Sequence, residues 1–154
     1  MSTPTQTNGP GLSRREEMSV SGDALSHAPW TSAAVTGGIV TLGDFGWHVI
    51  GGSFGLGGLS DALSLGVVAF FVVAAAGALW RERSSRALRW ARANPWRFAL
   101  VPGVAVAAIV FVLSLVLGGG IVGGVLTGVW HGAVTFGLTG GAGTLARSRR
   151  RRTV

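Results

Sequence analysis

The distribution of charge constrains this chain more than any other feature. Between Trp30 and Trp80 the only Asp, Glu, Lys or Arg residues are Asp44 and Asp61, and between Phe98 and Ala146 there are none. The other charges lie ahead of Trp30, within residues 81–97, and within residues 147–152. Charged residues make up 12% of the 154 and hydrophobic residues 48%. The charged share is about half that of an ordinary soluble domain, so a water-soluble fold would have too little polar surface. Long uncharged stretches between Arg-rich ones are the pattern of membrane spans and their loops. The expected fold is therefore an all-α integral membrane protein with one domain, residues 31–146.

Four spans are expected, at about 32–54, 62–80, 98–117 and 121–146, forming a four-helix transmembrane bundle. Residues 1–30 are rich in Ser, Thr, Pro and Gly and read as a disordered tail. Residues 147–154 form a basic tail. Trp30 and Trp80 stand where aromatic anchors meet the membrane boundary. Gly55 to Ser60 reads as a turn, with Ser60 or Asp61 capping the second helix. The 81–97 loop carries six Arg against one Glu, which places it in the cytoplasm. Within it Ser84, Ala87, Leu88 and Ala91 recur at helical spacing among Arg, the pattern of a short surface helix suited to anionic headgroups. Asn94-Pro95 then starts the third span, with Asn94 as its cap. The C-terminal tail is equally basic, so an even number of spans separates it from that loop. The topology is N-in and C-in, a multi-pass protein of the plasma membrane. The first apolar run is too far from Met1, and lacks the small-residue cleavage pattern, for a removable signal peptide.

The first span is the unusual one. In GGIVTLGDFGWHVIGGSFG, from Gly37, steps of four and three reach Thr41, Asp44, His48, Gly51 and Gly55, which fall on one helical stripe. Ile39, Leu42, Phe45, Val49 and Ile50 fall on the other side. An Asp at a span centre costs about 3 kcal/mol on insertion scales, while each Leu, Ile, Val or Phe returns only about 0.5. The segment therefore needs protein neighbours. The fourth span offers a matching face: Gly120, Gly124, Gly128 and Gly132 repeat every fourth residue, a small-xxx-small ladder, bordered by His131 and Thr135. The expected seam joins these two helices, with Gly51 and Gly55 against Gly124, Gly128 and Gly132. Asp44, His48 and His131 would then meet near the membrane midplane.

Ionisable groups inside spans are functional candidates. Asp44 and His48 one turn apart suit a proton relay, and two inward His suit haem iron or a divalent metal. Equally, His131 can hold two helices together by a hydrogen bond to Asp44 or to a carbonyl, and His48 can snorkel to a boundary. No phosphate loop, HExxH or nucleophile elbow occurs, so no enzyme is expected. There are no cysteines, which removes thiolate chemistry. All thirteen basic residues are Arg, and their position beside apolar spans argues for topology over nucleic-acid binding. The leading expectation is an accessory or structural membrane protein acting through glycine-mediated helix association, as a homo-oligomer or with a membrane partner and without a cofactor. The alternatives are proton, ion or redox work at Asp44, His48 and His131, or holin-like permeabilisation.

Overall fold

A computed structural model describes residues 14–52, 55–80 and 85–151, and these are helical with no strand. Six helices follow one another: α1 Arg14–Ser26, α2 Trp30–Ile50, α3 Leu56–Trp80, α4 Arg86–Ala93, α5 Pro95–Val116 and α6 Gly120–Arg151. Three of them are long and apolar enough to cross a membrane: α3, α5 and residues Gly120–Ser148 of α6. α2 has the length, at 21 residues, but Thr31, Ser32, Thr36, Thr41, Asp44 and His48 dilute its apolar character below theirs.

Two antiparallel helix pairs make up the body. α5 and α6 form one, α2 and α3 the other, and α3 joins them by packing on both α5 and α6. The α5/α6 turn rests on glycine: Gly118 and Gly120 have φ of 89° and 68°, backbone that a side chain disfavours. α5 runs unbroken through buried Pro102, which lies near its start.

One end of the body carries a cap built from α1 and α4. The structure here corrects the reading of residues 1–30 as disordered. Val20, Ala24 and Ala28 stand four apart and Leu25 beside them; Ala24, Leu25 and Ala28 are buried in one cluster with Ala87, Leu88 and Ala91 of α4 and with Ala78, Leu79 and Phe98. This apolar stripe is short and lies among Ser and Gly, so composition hides it. Residues 1–13 fall outside the described part.

The expected surface helix in the basic loop is α4, but its apolar side faces protein and not lipid. Ser85 caps it, its hydroxyl accepting from the Leu88 N–H at 3.2 Å; Ser84 lies outside the described residues. Asn94 does precede α5, with Pro95 in the first turn, yet its side chain makes no cap for α5. It donates instead to the Trp90 carbonyl at 3.3 Å and closes α4. α3 begins at Leu56, several residues earlier than expected, so Ser60 and Asp61 lie inside the helix and do not cap it. Gly57 and Gly58 lower helix propensity by about 1 kcal/mol each without forbidding the helix, and Ala62 is fully buried there. At the other terminus α6 continues past 146 to Arg151.

Candidate functional site

Asp44 and His48 come together as the sequence implies. His48 Nδ1 lies 3.4 Å from Asp44 Oδ2 and 2.9 Å from the Asp44 carbonyl oxygen. A carbonyl only accepts, so Nδ1 carries the proton and donates. Their side chains are 26% and 27% exposed, partly covered on the α3-facing side that they share with Gly37.

His131 is elsewhere. α2 packs on α3 and has no Cα within 8 Å of α6 among the described residues, so neither Asp44 nor His48 reaches His131. The depth also differs. α2 ends at Ile50, leaving His48 two residues, or ~3 Å, from its end. His131 stands eleven residues into α6, ~16 Å from the start of that helix. The two histidines thus stand at different distances from the ends of their own helices.

His131 Nδ1 donates to the Thr127 carbonyl at 2.8 Å, four residues back, and Thr135 Oγ1 donates to the His131 carbonyl at 2.9 Å. The same bond recurs at His27, just past α1, whose Nδ1 lies 2.9 Å from the Asp23 carbonyl. His48, His131 and His27 thus share one local geometry, a ring Nδ1 on the carbonyl four residues back. Among the described residues no three His, Asp or Glu side chains gather where a metal could be held. The ligand set Asp44, His48 and His131 is not assembled within one chain.

The glycine ladder does pack, with a different partner. A Cβ at Gly128 would stand 2.6 Å from the Ala107 carbonyl oxygen, and one at Gly132 would stand 2.8 Å from both the Gly103 carbonyl oxygen and the Ala107 Cβ. Gly124 meets Phe111 at 3.2 Å. All three neighbours belong to α5. The expected partners Gly51 and Gly55 take no part: Gly51 closes α2 through its N–H to the Trp47 carbonyl, and Gly55 has nothing within 4 Å. On α2 the close approach is at Gly37, where a Cβ would lie 2.9 Å from the Gly66 carbonyl oxygen and 3.0 Å from the Phe70 Cβ.

Sequence reasoning passed over Thr127 and Thr139. With His131 and Thr135 they repeat every fourth residue of α6, a spacing that a helical wheel would have exposed. Thr135 and Thr139 are 0% exposed, as is nearly true of Ser64 at 1%. Ser64 Oγ donates to the Ser60 carbonyl at 2.7 Å, so most of this buried hydroxyl set is satisfied within its own helix. Thr139 Oγ1 is the exception, buried without a partner among the described residues. A groove of about 370 Å³ between α2, α3 and α5 is apolar, lined by Gly37, Gly38, Thr41, Phe70 and Ile109 among others, and brings no further polar group to the pair.

No protein-family model, curated protein or solved structure matches this chain. Its chemistry must be read from its own geometry. Because α2 and α6 are apart, Asp44→Asn and His131→Gln should act independently. A double-mutant cycle on unfolding in detergent is expected to give a coupling below about 0.5 kcal/mol. A coupling of 1 kcal/mol or more would place the two residues in contact.

Proposed function

We propose that this is a small multi-pass membrane protein of accessory or structural type, which acts by lateral association of its helices with another membrane helix. The observation that carries the reading is the second small-residue face of α6. The first face, Gly124, Gly128 and Gly132, is consumed by α5 within the chain. On the far side Ala133, Gly137 and Gly141 again repeat every fourth residue, and Gly137 and Gly141 have nothing within 4 Å. Trp130 and Leu126 beside them are 68% and 67% exposed. Close backbone approach is what such a stripe permits between helices in lipid, and a second copy or a membrane partner is the occupant of this reading.

On the same reading α2 crosses as a fourth span beside α3, and both termini face the cytoplasm of the plasma membrane. Support comes from charge. Arg86, Arg89, Arg92, Arg97 and Arg147 gather with α1 and α4 at one end, while the turns at 51–55 and 117–119 carry no charge in their described residues. Reporter fusions after Gly52 should be active outside and fusions after Ala93 inside; both on one side would remove the topology.

Gly137→Leu tests the association. Energy transfer between donor- and acceptor-labelled copies in vesicles is expected to fall several-fold for a homo-oligomer, with thermal unfolding unchanged because Gly137 meets nothing in the fold. If that signal is absent from the wild type, co-purification of a defined membrane partner lost on Gly137→Leu serves the same end. Association indifferent to Gly137→Leu and to Gly141→Leu would overturn the reading.

A further inference from the structure

We infer that the outward face of α4 is a binding surface for anionic phospholipid headgroups, formed by Arg86 and Arg89. Among the described residues, Arg92, Arg97 and Arg147 nearby are already engaged. Arg92 Nε donates to the Leu79 carbonyl at 2.9 Å and closes the last turn of α3. Arg97 pairs with Glu17 of α1, and Arg147 Nη1 reaches the Ala93 carbonyl at the end of α4 at 3.5 Å. Arg86 and Arg89 differ from all three. Both are exposed, and neither has an ion pair or hydrogen bond among the described residues. Standing three residues apart they share one side of the helix, away from Ala87, Leu88 and Ala91, which are 3%, 0% and 0% exposed.

Their position selects a lipid as the anion. Trp30, Trp80 and Trp96 are 42%, 61% and 47% exposed. They are the first residue of α2, the last of α3 and the second of α5, so all three stand at the capped end of the body. Exposed Trp side chains at span ends lie at headgroup depth. α4 sits in the connection between Trp80 and Trp96, which holds Arg86 and Arg89 at the same level as the lipid phosphates. Each guanidinium can donate two parallel hydrogen bonds to a phosphodiester. The apolar side of α4 is occupied by protein, so this helix meets the membrane through its charge and not by inserting. The inference rests on the reading of this end as a membrane boundary.

The test uses the full-length protein in mild detergent and equilibrium binding of a fluorescent phosphatidylglycerol, with the phosphatidylcholine analogue as reference. The wild type should prefer phosphatidylglycerol, and the Arg86→Gln/Arg89→Gln double variant should bind it about tenfold more weakly. Arg86→Lys/Arg89→Lys should recover only part of the affinity, since the charge is kept but the paired donors of each guanidinium are lost. An unchanged thermal midpoint shows that the fold is intact, as exposed side chains without partners allow. Equal binding of the two lipids, or unchanged binding by the Gln variant, overturns the inference. Displacement by inorganic phosphate at matched concentration would identify a free-anion site and overturn the lipid assignment. Failure of the wild type to enter lipid vesicles at all would remove the membrane reading beneath it.

Discussion

Gly128→Leu should separate α5 from α6 and leave the protein unable to fold. The smallest side chain already places a carbon 2.6 Å from the Ala107 carbonyl oxygen and 3.3 Å from the Phe111 Cβ. The first of these is backbone, which cannot rotate aside. Room can be made only by moving the helices apart, and that also opens the approaches at Gly132 against Gly103 and at Gly124 against Phe111. Overpacking of a tight contact costs about 1–3 kcal/mol, and the loss of neighbouring dispersion contacts adds to it, so a total of about 3 kcal/mol or more is expected. Size-exclusion in mild detergent with limited proteolysis reads the result. Gly123→Leu, one helical position outside the seam with nothing within 4 Å, is the matched control and should behave as wild type. A folded, monodisperse Gly128→Leu protein would show that the seam is not where the fold is held.

Thr139→Val should stabilise the protein, by about 1–2 kcal/mol. A buried hydroxyl without a partner carries a desolvation penalty of about 1–3 kcal/mol, and Val keeps its shape while removing the polar atom. Thr139 Oγ1 is 0% exposed at the residue level and has no partner among the described residues. Thr135→Val provides the contrast. That hydroxyl donates to the His131 carbonyl at 2.9 Å, so its removal forfeits a bond and the change should be neutral or slightly destabilising. The midpoint of thermal unfolding, measured for both variants in one detergent, gives the signs. A destabilised Thr139→Val would mean that the hydroxyl has a partner in the membrane, such as a bound water joining α5 and α6.

Much of the fold was legible because helices announce themselves locally. The apolar runs that became α3, α5 and α6 needed only composition and length, and Pro95 marked the start of α5. The ladder of Gly124, Gly128 and Gly132 was visible from its spacing as a packing face. Its partner was not, since small residues permit close approach to any helix with a matching surface. Gly103, Ala107 and Phe111 of α5 supply that surface with the help of a short turn, which makes chain neighbours into spatial ones. The polar pair divides in the same way. Asp44 and His48 meet because they are one helical turn apart, whereas the joining of His131 to them was a guess about tertiary contact.

The amino-acid sequence by itself determined an all-helical chain, the placement of its three most apolar helices, the basic character of one end, and the contact between Asp44 and His48. These follow from composition and from a 3.6-residue period, which act within a single helix. Only the tertiary structure decided that α6 turns its glycines to α5, that α2 packs on α3 and, among the described residues, not on α6, and that residues from Arg14 to Ser26 fold onto α4. Those outcomes depend on the sum of many weak contacts between whole faces. No spacing along one strand of sequence records which face will meet which.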